Sequence, residues 1–157
     1  MKAISLWQPW ASLIMLGAKR VETRSWRPPE ALIGQRVMIH AAKRIDGCVL
    51  REPFSIHIAD PVRDAPTGAL LGSAKIEGAW RIDTLSDAIL IASEYHRGED
   101  GSAIDDELAF GDYTVGRWAW GLAEVRRLNE PIPYTGGQRF FNLKPPYLEL
   151  LLAGHAR

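Results

Sequence analysis

The chain has 157 residues, 46 % of them hydrophobic, and a formal net charge of zero. That length and composition suit one globular domain with its own core and exclude a disordered chain. Zero net charge excludes general attraction to polyanions, and the single cysteine, Cys48, excludes an internal disulfide or a thiolate zinc cluster.

In chain order, KAISL reads as a short strand, and QPWASLIMLG as a helix entered at Pro9 and closed by Gly17 in a left-handed cap. KRVETRSW follows as a strand stopped by Pro28 and Pro29. QRVMIHAA is a second strand with Val37 and Ile39 on one face and Met38 and His40 on the other. IDGCVLREPF suggests a short helix, and TGALLGSAKIEGAWRI a strand whose glycines mark bends or bulges. A helix is expected from Thr84 to about His96, then an acidic mobile loop over 97–112. GRWAWGLAEVRRL is a long strand, EPIPYTGGQ a turn-rich connector, and a short terminal helix is expected after Pro145 and Pro146. Five or six strands with few intervening helices imply an α+β or barrel-like fold. No Gly-rich phosphate loop is present.

Charge is unevenly distributed. Residues 19–51 carry eight basic and three acidic side chains, residues 83–112 one basic and nine acidic, and residues 117–144 five basic and two acidic. Two basic segments flank an acidic one, so a neutral chain presents a positive face if the basic segments meet in the fold. The acidic segment from Asp83 to Asp112 offers a surface for a basic protein partner. The apolar stretch near the N-terminus is too short for a signal peptide, and no run reaches the ~20 apolar residues of a membrane span. The expectation is a cytoplasmic protein with no membrane partner.

Four stretches carry candidate chemistry. In GAKRVETRSW, Glu22, Arg24 and Trp26 share one strand face, and Lys19 reaches the same side from the turn after Gly17. This is either a solvated ion pair contributing under about 1 kcal/mol or the floor of a site in which Arg24 orients Glu22. In SLWQPWA, Gln8 lies where a helix N-terminus would favour an anion; Trp7 suits a cleft wall and Trp10 the core. In IHAAKR, His40 and Lys43 are offered near a strand end, Lys43 as a phosphate contact. In FGDYTVGRWAW, Tyr113 and Arg117 flank a turn and meet a ligand, while Trp118 and Trp120 face the core. The histidines lack zinc-site spacing, so neither metal nor cofactor is expected.

These residues resemble a known family. GAKRVETR fits the Gly-x-Lys-x-x-Glu-x-Arg motif of the ASCH domain, named for homology to the activating signal cointegrator 1, and ISLWQPWASLI, IHAAKR and GRWAWGLAEVRRLNEPIP extend the match over residues 2–143. The resemblance implies one ASCH domain over 1–157, a PUA-like small mixed β-barrel with peripheral short helices. It also implies RNA or modified-nucleoside binding in a cleft lined by Lys19, Glu22 and Arg24. Some relatives are enzymes: one branch hydrolyses N4-acetylcytidine with a lysine, a threonine and a glutamate, and another member is reported as a ribonuclease. The branch's threonine stands three residues after its lysine. Here Glu22 stands there and Thr23 follows one place late, which on a regular strand turns it to the other face. A hydrolase built on this chain would instead use Glu22 as general base and Lys19 as electrophilic partner. The distal glutamate is left open among Glu94, Glu99 and Glu107. The candidate residues are Trp7, Gln8, Arg24, His40, Lys43, Tyr113 and Arg117 for binding, and Lys19 and Glu22 for catalysis.

Overall fold

The computed structural model describes residues 1–145 and residue 147. Along the chain, β1 (Lys2–Gln8) leads into α1 (Trp10–Leu16), then β2 (Val21–Arg24) and β3 (Arg36–Ile45). Two short helices, α2 (Phe54–His57) and α3 (Pro61–Asp64), precede β4 (Ala69–Arg81). Helices α4 (Leu85–Tyr95) and α5 (Gly101–Phe110) separate β4 from β5 (Trp118–Pro133), and β6 (Phe140–Asn142) comes last. The six strands form one sheet in the order β2-β5-β4-β3-β1-β6, in which only β1 and β3 are parallel.

The α+β class, the small mixed sheet and the short helices agree with the sequence reading, but the barrel does not close. β2 has four residues and β6 three, so neither end of the sheet has the length to pair with the other. β6 covers β1 only over Lys2–Ile4, which among the described residues leaves the edge of β1 from Ser5 onward without a strand on that side. The sheet nevertheless curls until the two edges nearly meet. Arg24 of β2 donates through Nη2 to the Ser5 carbonyl of β1 at 3.4 Å. Below that point Trp26, Trp120 and Phe140 fill the gap, with Trp26 edge-on to both rings at 4.8 and 5.8 Å.

The main core lies inside this curl. Val37 and Ile39 point into it together with Ile4, Ile14 and Trp120, while Met38 faces a second cluster with Leu70 and Leu143. Helix α1 ends as expected at Gly17, whose φ of +77° places it in the left-handed cap with its N–H on the carbonyls of Ile14 and Leu13.

Two further expectations are corrected. The segment 97–112, expected as a loop, contains α5. Asp100 caps this helix by accepting from the Ser102 N–H at 3.0 Å, and Ala103, Glu107 and Phe110 recur at helical spacing along one face. Phe110 packs edge-on to Phe54 at 5.1 Å in a cluster with Leu13 and Val49. Full burial of such a ring stabilises by about 1.5–3 kcal/mol. The connector EPIP belongs to β5, where Leu70 pairs Ile132 and Ala69 pairs Pro133. Its prolines are tolerated because β2 pairs β5 only over Trp118–Gly121, leaving the far end of β5 an edge. The expected terminal helix lies largely outside the described residues. No helix among the described residues is long and apolar enough to cross a membrane.

Candidate functional site

The seam left by the unclosed sheet is a cleft of about 400 Å³. One wall is the free stretch of β1, with Ser5 and Trp7; the other is β2, with Glu22, Thr23 and Arg24. The end of α5 and the turn after it close the third side through Phe110, Asp112 and Arg117. The Trp7 indole is 45 % exposed, unusual for a tryptophan inside a strand, and Arg44 stacks its guanidinium 3.8 Å from the ring centroid.

Alternation along β2 sets the next contacts. Arg24 Nε donates to Glu22 Oε1 at 2.8 Å, so the pair inferred from spacing exists. Glu22 Oε2 lies 3.8 Å from Lys19 Nζ. The lysine is 1 % exposed and does not line the cleft; its ammonium donates to the Val21 carbonyl and lies 3.7 Å from Glu107 Oε1. Glu107 is 0 % exposed, and its carboxylate accepts from four donors: the N–H groups of Arg20 at 2.6 Å and Val21 at 3.3 Å, the Tyr113 hydroxyl at 3.3 Å and His96 Nε2 at 2.9 Å. His96 Nδ1 faces Glu99 Oε2 at 3.1 Å, and Glu99 meets Arg20 at 2.5 Å. Positive and negative groups therefore alternate from Arg24 in the cleft, through Glu22, Lys19, Glu107, His96 and Glu99, to Arg20. No buried polar side-chain atom among the described residues lacks a hydrogen-bond partner, as a buried charge network requires.

A carboxylate on each ring nitrogen favours the protonated form of His96. The hydrogen bond to Glu107 pushes its pKa above the ordinary value, against the opposing effect of burial. His40 behaves oppositely, because burial lowers its pKa. Its Nε2 faces the Tyr134 carbonyl at 3.0 Å and so carries the proton, leaving Nδ1 to accept from the Ser5 hydroxyl at 2.9 Å.

Of the residues singled out by sequence, Trp7, Glu22, Arg24 and Arg117 meet in the cleft, and Lys19 stands directly behind it. His40 and Lys43 lie beside it, on the far side of Trp7. Two residues turn away. Gln8 is 0 % exposed; its Oε1 accepts from the Ser12 N–H at 3.0 Å, occupying an amide that an anion at the start of α1 would need. Its Nε2 donates to the Ser12 hydroxyl at 2.9 Å and the Pro66 carbonyl at 2.6 Å. Tyr113 packs its ring against the cluster of Val21, Ile82 and Ala119 and directs its hydroxyl to Glu107 rather than to the cleft. Burial pushes its phenol pKa well up. Trp10, assigned to the core, packs against the cluster of Leu13 and Phe54 as expected, also lines the cleft, and donates its indole N–H to the Phe110 carbonyl at 2.7 Å.

Thr23 also departs from expectation, since it lines the same cleft as Glu22. The cleft wraps around the free edge of β2, so both faces of that strand contribute. The Thr23 hydroxyl accepts from the Asp112 N–H at 2.8 Å and thereby fixes the third wall. Glu107 was one of three open glutamates. The sequence signal that singles it out is its place between Ala103 and Phe110 on the inward face of α5. Among the described residues no group of His, Cys, Asp and Glu side chains converges as a metal site.

Comparison with known proteins gives the family and the fold. The family model described as the ASCH domain matches residues 4–132, which spans β1 to nearly the end of β5. The chain belongs to the ASCH-domain family. No curated protein matches this ASCH domain in sequence. Its fold is similar to the crystal structure of ASCH from Zymomonas mobilis, at 18 % identity and a TM-score of 0.56 over 97 % of this chain and 93 % of that one. A mutant form of the same Zymomonas protein gives 20 % identity and a TM-score of 0.54 over 97 % and 94 %. In this ASCH domain Lys19, Glu22 and Arg24 form one continuous ion-paired group beside the cleft.

Proposed function

We propose that this ASCH domain binds RNA or a modified nucleoside, with the base in the cleft between β1 and β2. The observation that carries the reading is the pairing of an exposed indole with an oriented Glu22–Arg24 couple. An aromatic face accepts a base by stacking, and a fixed donor and acceptor beside it address the base's polar edge. Asp112 and Arg117, 3.3 Å apart, supply a second such couple on the third wall. Lys19 acts through Glu22 as a positioning residue, because its ammonium is enclosed by Val21, Glu22 and Glu107.

Anisotropy titration of a short labelled single-stranded RNA, with cytidine and N4-acetylcytidine as competitors, tests the reading. Saturable binding is expected, and Trp7→Ala weakens it by the ~1–3 kcal/mol that stacking supplies per base. Arg24→Ala weakens it further by freeing Glu22. No saturable binding at low salt, or wild-type affinity in both variants, overturns it.

A hydrolytic reading is the alternative, motivated by Glu22 at the cleft wall with Lys19 and Glu107 behind it. Incubation with N4-acetylcytidine and with RNA, followed by chromatography, decides between them. Product formation lost in Glu22→Gln with the fold intact establishes hydrolysis, and binding without product establishes a binding module.

A further inference from the structure

On the far side of Trp7 lies a second concavity, a groove of about 650 Å³ that shares Ser5 and Trp7 with the cleft. Lys43, Gly136, Gly137 and Arg139 form much of its remaining wall. The two spaces differ in charge. Within the cleft both cations are neutralised, Arg24 by Glu22 and Arg117 by Asp112. The groove has no acidic lining residue. Among the described residues Lys43 and Arg139 have no carboxylate partner, and neither has Arg44 on the Trp7 ring. Lys43 belongs to the first basic segment and Arg139 to the second, so the two segments meet here without the carboxylates that pair Arg24 and Arg117 in the cleft.

The groove is built rather than incidental. Its floor is the Ser5–His40 pair, on which Gly136 rests so closely that a Cβ there would fall 2.3 Å from His40 Cε1 and 2.6 Å from Ser5 Oγ. Tyr134 holds the start of this loop through its N–H on the Gly68 carbonyl at 2.9 Å, and the Lys43 stem runs past the same Gly68. Arg139 has a φ of +51°, a conformation that non-glycine residues rarely hold, and its guanidinium lies 5.1 Å from the Trp26 ring centroid. Among the described residues the amides of Gly136, Gly137 and Gln138, three groove-lining residues, donate no hydrogen bond within the chain and so remain spare donors.

Unpaired cations, spare amides and no carboxylate are the features of a site for phosphate. We propose that the groove is a phosphodiester track continuous with the cleft, and that the ligand is a single-stranded oligoribonucleotide rather than a free nucleoside. The proposal rests on the reading of the cleft as a base site. Trp7 is the divide: a base stacks on the cleft side, and the adjoining backbone runs past it to Lys43 and Arg139.

Affinities of cytidine and of a labelled hexaribonucleotide at two or more salt concentrations test it. Wild type is expected to bind the hexamer more tightly, with affinity falling as salt rises. The Lys43→Ala, Arg139→Ala double variant should bind the hexamer at least about tenfold more weakly at low salt. Its salt slope should fall by about 1.4, the ~0.7 lost per single-strand phosphate contact taken twice, while its affinity for cytidine stays at the wild-type value. A thermal melt at the wild-type temperature confirms that the variant is folded. A wild-type slope in the double variant, or equal losses for cytidine and hexamer, overturns the track. If wild type binds cytidine but prefers the hexamer no more, the track fails alone. If it binds neither, the cleft reading fails and the track with it.

Discussion

The cleft and the groove flank one tryptophan, yet they use charge in opposite ways. The cleft is neutral at its surface, and every charge in it is matched within the chain, backed by Lys19, Glu107 and His96. The groove is cationic and rests on a histidine that burial keeps neutral. Matched charges hold donors and acceptors in place but attract little at a distance; unmatched ones attract anions but fix no geometry. A surface that selects a base and also retains a backbone needs both, and the curl of one sheet sets them side by side.

Removing Glu107 tests the cleft side most severely. Glu107→Ala leaves Lys19 enclosed without its inner carboxylate, and breaking a buried pair costs about 3–5 kcal/mol. Urea denaturation should show that loss, and base binding should fall with it. A change below about 1 kcal/mol would mean that the buried network is not what holds β2 to α5. On the groove side the largest effect is expected from Gly136→Ala, whose new methyl must displace His40 or Ser5. Overpacking of this kind costs about 1–3 kcal/mol, and hexamer affinity should drop while cytidine affinity changes little.

The pH dependence should separate the regions by sign. His96 has a raised pKa, so its stabilisation is complete below the unfolded value of about 6.5 and is lost as pH rises through the folded value. His40 has a lowered pKa, so its contribution is present above about 6.5 and is lost as pH falls toward the folded value. His96→Asn should flatten the alkaline limb of a stability-against-pH curve, and His40→Asn the acid limb. The same limb altered in both would break the comparison. The smallest expected effect is on the stability of Lys43→Ala, within about 0.5 kcal/mol because the side chain is unpaired. A larger loss would make Lys43 a structural residue rather than a ligand contact.

The strands and α1 were legible because apolar alternation, Pro9 and Gly17 mark them locally. The Glu22–Arg24 contact was legible for the same reason, since two residues two apart on a strand share a face. What escaped the sequence depended on distant partners. Gln8 is claimed by Ser12 and Pro66, and Tyr113 by Glu107. Closure of the sheet was misjudged because it depends on the reach of two short edge strands, not on any pattern within them. The helix over 101–110 was hidden because the stretch is acidic and begins with a glycine, and only Ala103, Glu107 and Phe110 reveal its inward face.

The carboxylate behind the motif lies 87 residues along the chain from Arg20, whose amide it accepts. Contacts of such separation form only after a long loop has been closed, and they slow folding more than local ones do. A chain still being synthesised would have the whole motif exposed long before α5 emerged to cover it. Docking of α5 supplies both Glu107 and the third wall of the cleft. In refolding experiments, recovery of base binding should therefore follow the slowest structural phase and not the early formation of the β1–β3 pairing.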